Sequence, residues 1–469
     1  MVRKPSTNRA HCGSDKPTVT VAVALFTRDL RVHDNPVLHA AARAADNVVP
    51  LFVLDDRILA SGYNRPNRAR FLADSLADLH TRLRELGAAL VLRRGDVTSE
   101  VARLAQEVDA EEVHIAADVS GYAQARQHRL SDALRQRKLV VHDSVTVVPP
   151  GSVTPSGNDH FAVFTPYLRH WEKQPRRAPL PPPPRLTLPS GVRHGTVPRQ
   201  AEICPGTTSP DLPTGGETKA RQLMQTWLAK GVRGYSERHD DLAADGTSRL
   251  SPYLHFGCLS PTELAGLTAG CGGAGAAAFT RQLAWRDFHY QVLAARPCAA
   301  YQDYHTRQDH WLTDQRALDA WRAGHTGYPV VDAGMRQLQR EGYLHNRARL
   351  IVGSFLVKTL YQDWRRGAAH FYDLLVDGDI ANNAMNWQWV AGTGTDTRPN
   401  RMFNPLRQAD RLDPEGVYVR RYLPELADVE GAAVHRPWTL PGQQRRALDY
   451  PDPIVNLQDA AERFRRARS

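Results

Sequence analysis

The chain has 469 residues, of which 42% are hydrophobic and 23% are charged. This length exceeds what one ordinary hydrophobic core holds, so we expect two or three domains. The formal net charge of +10 suits a polyanionic partner such as a nucleic acid, but many basic proteins bind none, so charge alone leaves the partner open.

Five cysteines are scattered along the chain, without a CxxC pair or a histidine cluster at zinc spacing: Cys12, Cys204, Cys258, Cys271 and Cys298. This predicts a reduced, cytoplasmic protein without a metal site. Residues Met1 to Pro17 lack the apolar stretch of a signal peptide. The longest apolar runs, such as Thr20–Phe26, are far shorter than the roughly 20 residues that cross a bilayer, so no membrane association is expected.

Residues 19–147 alternate short β-branched runs with amphipathic stretches. The runs that predict buried strands are Val19–Phe26, Val48–Leu54, Ala89–Leu92, Val113–Ala116 and Leu139–Val141. The stretches that predict helices are Arg68–Leu86, Ser99–Val108 and Gln124–Arg137. This alternation predicts an α/β domain with a doubly wound parallel sheet. No GxGxxG sequence follows the first strand, which argues against an ordinary dinucleotide module.

Residues 148–216 are predicted to form a long connection between domains. The run Pro181–Pro184 and the Pro/Gly/Thr-rich stretch Cys204–Gly216 cannot build a continuous core. A short ordered part is expected at Phe161–Trp171.

Residues 217–469 are predicted to be an all-helical domain. Apolar residues recur at spacings of three and four through Leu223–Leu228, Phe279–Val292, Val331–Leu338 and Arg349–Leu360. Eight of the nine tryptophans lie at or beyond Trp227. So many tryptophans indicate a flat aromatic ligand, a nucleic acid or both, with plain core packing as the alternative.

One segment of this domain, Asp377–Trp389, is rich in amides and tryptophans. On a helix, Asn383 and Trp387 share a face because they are four residues apart. Trp387 and Trp389 are separated by about 200° on a helix of ~3.6 residues per turn. One tryptophan can therefore face the interior while the other lines a cavity.

This segment and seven others, in the same order and spacing, resemble the signature motifs of the photolyase/cryptochrome family. The motifs are Phe26–Asn35, Gly246–Ser251, Trp285–Phe288, Thr326–Asp332, His345–Arg347, Asp377–Trp389, Thr393–Asp396 and Phe403–Pro405. The resemblance implies an N-terminal antenna domain, the connection and a helical FAD-binding domain. It also implies a lyase that repairs cyclobutane pyrimidine dimers in ultraviolet-damaged DNA by light-driven electron transfer from reduced FAD.

The resemblance assigns a set of residues to non-covalently bound FAD: Tyr235, Thr247, Ser248, Arg249, Leu250, Ser251, Arg286, Arg349, Asp377, Gly378, Asp379 and Asn383. The hydroxyl groups and arginine of Gly246–Ser251 suit a pyrophosphate, although such a segment is also a common turn or helix cap. Asn383 matches the residue that approaches the flavin N5 atom. Arg349 is expected to pair with Asp377, because an unpaired buried charge is costly.

A second set is assigned to DNA: Gln282, Trp285, His289, Asn346, Arg347, Leu350, Trp389 and Arg401. Trp285 and Trp389 resemble the aromatic walls that hold a flipped dimer, and photolyases are themselves among the enzymes known to flip bases. Arg347 and Arg401 are predicted phosphate contacts, with a solvated surface charge as the alternative for each.

Two positions depart from the pattern of many dimer photolyases, which carry Glu at the position of Gln282 and Met at that of Leu350. Asn346 matches the cyclobutane-dimer branch, since the branch that repairs the pyrimidine–pyrimidone lesion usually has His there and plant cryptochromes usually have Asp.

Three tryptophans, Trp387, Trp364 and Trp311, match the family's electron path from the surface to oxidised flavin. Arg68 and Asp118 align with residues that bind an 8-hydroxydeazaflavin antenna, which we favour over a methenyl folate, and both could equally be ordinary surface charges.

We expect a monomer without an obligate protein partner. Two rival functions remain at this point. One is a signalling cryptochrome, which the absence of a long C-terminal extension, Asn346 and Asn383 disfavour. The other is a flavin electron-transfer protein, which the basic charge and the Trp285/Trp389 pair disfavour.

Overall fold

A computed structural model describes residues 19–468 and shows a parallel five-stranded sheet at the start of the chain. Its strands are β1 (Val21–Phe26), β2 (Asn47–Asp55), β3 (Val91–Gly95), β4 (Glu112–Ala116) and β5 (Lys138–His142). Their order in the sheet is β3-β2-β1-β4-β5, with every neighbouring pair parallel. This order, which reverses direction at β1, confirms the predicted doubly wound topology.

Five helices connect these strands: α1 (Pro36–Ala44), α2 (Asp56–Leu59), α3 (Pro66–Glu85), α4 (Val97–Glu107) and α5 (Gly121–Leu134). Helices α3, α4 and α5 begin and end within a few residues of the predicted stretches, whereas α1 and α2 were not predicted. The signal for α1 was present, because Asn35 caps the helix by accepting a hydrogen bond from the Leu38 amide and Pro36 opens its first turn.

The connection, residues 148–216, carries two short helices, α6 (Phe164–Trp171) and α7 (Gln200–Ile203). Helix α6 coincides with the ordered part expected from the sequence. Trp171 is fully buried, and its indole N–H donates to Asp287 Oδ2 at 2.9 Å. The connection is therefore anchored in the helical domain at this point.

The rest of the described chain is helical, as predicted. Its first helices are α8 (Glu217–Thr226), α9 (Tyr235–Arg238), α10 (Ser251–Phe256), α11 (Pro261–Cys271), α12 (Gly273–Ala295), α13 (Gln315–Ala323) and α14 (Pro329–Glu341). The later ones are α15 (Asn346–Ser354), α16 (Trp364–Leu374), α17 (Ile380–Ala391), α18 (Pro405–Leu412), α19 (Val417–Tyr422), α20 (Gly442–Ala447) and α21 (Leu457–Arg468). Two π-helical turns, Trp227–Gly231 and Phe355–Thr359, extend α8 and α15.

The hydrophobic core joins the two domains. One face of the sheet packs an aliphatic cluster against α4 and α5. The other face belongs to a cluster that continues through α6 into α10 and α12, and includes Phe71, Trp171, Tyr253 and Phe288. The sheet therefore fixes the position of the helices that line the candidate site.

Polar contacts reinforce this junction. Buried Glu217 accepts hydrogen bonds from the Val32 and His33 amides at 2.7 and 3.0 Å. The Arg68 guanidinium donates to the carbonyl groups of Tyr63, Tyr372 and Leu375.

Within residues 19–468, no helix has the length and apolar character needed to span a membrane. The same residues include no group of three or more His, Cys, Asp or Glu side chains arranged to hold a metal ion. Their four cysteines are free, and Cys12 lies outside the described residues.

Candidate active site

A cavity of about 390 Å³ lies in the helical domain between α10, α12, α15 and α17. It brings together most residues predicted for the cofactor and for the lesion. Those that line it are Tyr235, Thr247, Ser248, Arg249, Leu250, Ser251, Gln282, Trp285, Arg286, His289, Asn346, Arg349, Leu350, Asp377, Asp379 and Trp389. Segments more than 100 residues apart in sequence thus form one site.

Helix α17 lines this site with two different faces. Asn382, Asn386 and Trp389 line the main cavity. Asn383 and Trp387 line a smaller recess next to it, and the Asn383 side-chain amide donates to the Ala368 carbonyl at 3.2 Å. Trp387 is 3% exposed. The two tryptophans therefore point in different directions, as the helical geometry predicted.

Asp377 is the acidic group that Arg349 neutralises. Arg349 Nη2 donates to both of its oxygens, at 2.8 and 3.0 Å, and the Ser251 hydroxyl donates at 2.6 Å. The ion pair expected from the sequence is present. It holds α10, α15 and the start of α17 together at one end of the cavity.

Asp379 also lines the cavity, and it is held by contacts with both domains. Its Oδ1 caps α17 by accepting from the Asn382 amide, and its Oδ2 accepts from Arg28 at 2.7 Å and from Tyr290 at 2.6 Å. Burial opposes ionisation, but the charge of Arg28 and the neighbouring His255 hold the pKa of Asp379 well below its usual range. This ionised carboxylate therefore links the sheet domain to α17.

The segment Thr247–Ser251 forms the hydroxyl-rich end of the cavity. The Arg249 backbone is left-handed, with φ of 52°, and its guanidinium is held by Asp245 and Glu341. The Thr247 hydroxyl lies 3.4 Å from the Tyr343 hydroxyl, which also lines the cavity.

Aromatic rings form the walls at the other end. Trp285 stacks face to face on Phe164, with ring centroids 3.6 Å apart and planes 6° apart. Half-buried Trp389 lies 6.4 Å from Phe403, with planes 30° apart. Each wall is thus backed by a second ring.

His289, on the cavity surface, faces Asn382 with Nδ1 3.0 Å from the amide oxygen. Burial lowers the pKa of His289 to about 4. The imidazole is therefore neutral at physiological pH and adds no cation to the cavity.

The three tryptophans predicted for the electron path lie on segments that neighbour one another. A Cβ on Gly367, one turn after Trp364, would fall 2.2 Å from Cη2 of Trp387. The Trp387 ring therefore packs directly on the backbone of α16. A β-bridge between Leu312 and Gln362 brings the residue after Trp311 beside the chain that leads to Trp364.

Several predicted residues lie outside the cavity. Arg347 forms an ion pair with Asp240, with Nη2 and Oδ2 2.5 Å apart. Asp118 accepts from Arg28, and Arg68 is occupied by the carbonyl groups named above.

Two further predicted residues also lie outside the cavity. The guanidinium carbon of Arg401 lies 4.8 Å from the centroid of the Phe403 ring. Gly378 faces Arg68, since its Cβ would lie 3.0 Å from Arg68 Nη1.

The sequence analysis missed several cavity residues, which are Leu254, His255, Phe279, Leu283, Tyr343, Leu344, Asn382 and Asn386. A signal existed for two of them, because Asn382, Asn386 and Trp389 have the i, i+4, i+7 spacing of one helix face. Tyr343 lies in no periodic pattern that pointed to it.

The make-up of the cavity fits a flavin nucleotide. Its lining combines hydroxyl groups, amides and the Arg349–Asp377 pair with aromatic and apolar side chains. In the adjoining recess the buried Trp387 indole N–H has no partner. Polar groups that converge on a cavity beside aromatic and apolar side chains are typical of cofactor sites.

Fold and site together define a flavoprotein of two domains. Residues 22–185 match the family model described as DNA photolyase, and residues 279–469 match the model for the FAD binding domain of DNA photolyase. The chain is 55% identical to the deoxyribodipyrimidine photo-lyase of Streptomyces griseus, over 96% of this chain and 99% of that protein. The corresponding Escherichia coli protein is 34% identical, over 94% and 97%.

Solved structures agree with these relatives. A class III photolyase from Agrobacterium tumefaciens superposes with a TM-score of 0.90 at 33% identity, covering 98% of this chain and 99% of that one. A Synechocystis cryptochrome gives 0.89 at 29% identity, covering 96% and 99%. The chain therefore belongs to the DNA photolyase family, and its helical domain binds FAD.

Proposed function

We propose that this chain is a deoxyribodipyrimidine photo-lyase, which uses light to split cyclobutane pyrimidine dimers in DNA. The observation that supports this most strongly is that one cavity combines the predicted flavin residues with the predicted lesion residues. The names of the curated relatives point to the same reaction.

In the proposed mechanism, bound reduced FAD would absorb the light and donate the electron. The chain's own residues bind and orient the substrate. Trp285 and Trp389 would stack against a flipped dimer and exclude water, while the amides of Asn346 and Gln282 would hydrogen-bond the pyrimidine edges. Because His289 is neutral, the cavity places no extra cation there beside the dimer.

DNA binding is expected to combine charge with this pocket. The net charge of +10 supplies the sequence-independent attraction to phosphates. Arg401 is the better candidate for a specific phosphate contact, since Arg347 is already paired with Asp240. We further propose that the enzyme acts as a cytoplasmic monomer.

For the antenna chromophore we propose 8-hydroxydeazaflavin rather than a methenyl folate. Asp118 supports this choice because it lies at the end of β4, on the edge of the sheet where doubly wound folds bind ligands. Arg68 is less apt than the sequence suggested, because its donors already meet backbone carbonyl groups. The absorption spectrum of the chromophore released from purified protein distinguishes the two.

Trp387, Trp364 and Trp311 are proposed to feed electrons to oxidised flavin. Their neighbouring positions behind the cavity support this role. In this proposal the path serves photoreduction, and Trp387 joins it from the face of α17 that packs on α16.

The test of the repair function is an oligonucleotide with one defined cyclobutane dimer, incubated with FAD-loaded, reduced protein in blue light. We expect light-dependent restoration of the intact pyrimidines and none in the dark. A second oligonucleotide with the pyrimidine–pyrimidone lesion should stay unrepaired. Specific binding without repair of either lesion would favour a signalling cryptochrome instead.

A further inference from the structure

A loop of residues 392–404 joins α17 to α18 and forms the outer support of the cavity wall. It contains Phe403, whose ring backs Trp389, and Arg401, whose guanidinium lies over that ring. The conformation of this loop therefore determines both the support of Trp389 and the place where Arg401 can meet DNA.

Lys358 holds this loop from inside the protein. Its side chain lies in the π-helical turn Phe355–Thr359, and the residue is 2% exposed. Lys358 Nζ donates to the carbonyl oxygens of Pro399 at 2.9 Å and of Arg401 at 2.5 Å. One turn earlier, the Ser354 hydroxyl accepts from the Phe403 amide at 3.1 Å. Three positions of the loop are thus bound to one short segment.

The π-helical turn Phe355–Thr359 directly follows α15, which presents Asn346, Arg349 and Leu350 to the cavity. π-Helical turns are rare and occur often at functional sites. Here the turn connects the floor of the cavity to its outer wall, so the two are positioned as one unit.

Burying a charged ammonium group at this position costs free energy. Burial lowers the pKa of Lys358 to about 7, with Asp396 favouring the charge and Arg468, Arg401 and Arg307 opposing it. The Phe464 ring, 5.6 Å from Nζ, adds a weak cation–π contact. An apolar side chain of similar length would fill the space without the cost of burying a charge. What Lys358 adds over an apolar side chain is therefore its two hydrogen bonds, to the carbonyl oxygens of Pro399 and Arg401.

We infer that Lys358 is a positioning residue for damaged DNA, which fixes Arg401 towards the DNA backbone and Phe403 behind Trp389. The inference rests on the proposed repair function and adds a residue to it that touches neither cofactor nor substrate. It predicts that Lys358 and Arg401 act through the same contact with DNA.

A double-mutant cycle tests this coupling. The affinity for a duplex with one cyclobutane dimer is measured for the wild type, Lys358→Met, Arg401→Ala and the double variant, all FAD-loaded. We expect each single change to weaken binding about 10-fold and the double variant to be within about 3-fold of the weaker single one. Independent effects, multiplying to about 100-fold, would overturn the inference.

Hydrogen exchange supplies a readout that needs neither cofactor nor DNA. Lys358→Met should raise the exchange of the amides of residues 400–403 by about 10-fold or more and leave β1 to β5 unchanged. Unchanged exchange in this loop would refute the inference. If Lys358→Met does not fold, Ser354→Ala removes the other anchor of the loop. This variant should raise the exchange at Phe403 and weaken damaged-DNA binding, and no change in either would refute the inference.

The two proposals can fail separately. A wild-type protein that binds damaged and undamaged duplexes equally contradicts the repair function, while the exchange experiment still tests the role of Lys358. A wild type that discriminates, beside a Lys358→Met variant that binds just as well, contradicts the role of Lys358 alone.

Discussion

The two faces of α17 carry the same residue types in different surroundings. The open face, with Asn382, Asn386 and Trp389, borders the cavity. On the buried face, the Trp387 ring packs against those of Phe371 and Trp321, with ring centroids 4.9 and 6.1 Å apart. The packing of the neighbouring residues therefore determines whether an amide or an indole on this helix lines the cavity or fills the core. Substitutions on the two faces should have separable effects.

The largest expected effect concerns the electron path behind the buried face. Trp364→Phe should abolish light-driven reduction of oxidised flavin, because phenylalanine is much harder to oxidise than tryptophan. Repair by chemically reduced enzyme should remain near the wild-type level. Flavin absorbance under illumination and the repair assay measure the two activities. Loss of both in a folded variant would show that Trp364 also supports the lesion side.

Trp387→Ala should lower the free energy of unfolding by about 3–5 kcal/mol, as expected for removing a buried large aromatic side chain. Trp389→Ala, on the open face, should cost much less stability and weaken binding to damaged DNA instead. Denaturant unfolding and DNA titration separate these results. Equal loss of stability in the two variants would remove the distinction between the faces.

A smaller effect is expected where the buried face meets α16. Gly367→Ala places a methyl group 2.2 Å from the Trp387 ring, so it should destabilise the fold by about 1–3 kcal/mol through overpacking. Gly353→Ala is the matched control, because its Cβ would lie at an ordinary 3.6 Å from the same ring. If the control loses as much stability as Gly367→Ala, tight packing of Trp387 is not the cause.

The smallest effect is a pH dependence on the open side. The pKa of His289 is about 4 in the folded protein and about 6.5 in an unfolded chain, so only the unfolded chain takes up the proton between these values. Stability should therefore fall as the pH drops from about 6.5 to 4. His289→Gln should reduce the dependence of the unfolding free energy on pH by up to about one proton in this range. An unchanged slope in His289→Gln would contradict a buried, neutral imidazole.

Local patterns were enough to predict the sheet, the order of the domains and the opposed directions of Trp387 and Trp389. They depend on spacings of two to four residues, which the chain itself determines. The ion pair of Arg349 with Asp377 was expected from the family resemblance, together with the cost of leaving a buried carboxylate unpaired.

Partners far apart in sequence were not predictable. Arg249 meets Glu341, and Arg347 meets Asp240, only after the helices have packed. The same holds for Asp379, which the resemblance assigned to the cofactor and which Arg28 from the sheet domain engages. Charged side chains with several possible partners need the tertiary structure to show which one they have.

The central claim is that a single aromatic pocket beside the flavin receives the flipped dimer. Its most direct test compares the affinities of the wild type and Trp285→Ala for a dimer-containing duplex and an undamaged duplex, at several salt concentrations. We expect Trp285→Ala to lose about 1–3 kcal/mol of binding to the damaged duplex, the usual range for one base–aromatic stack. Binding to undamaged DNA, which is mostly phosphate contact, should change little. Equal loss on both duplexes, in a variant that retains FAD, would contradict the claim.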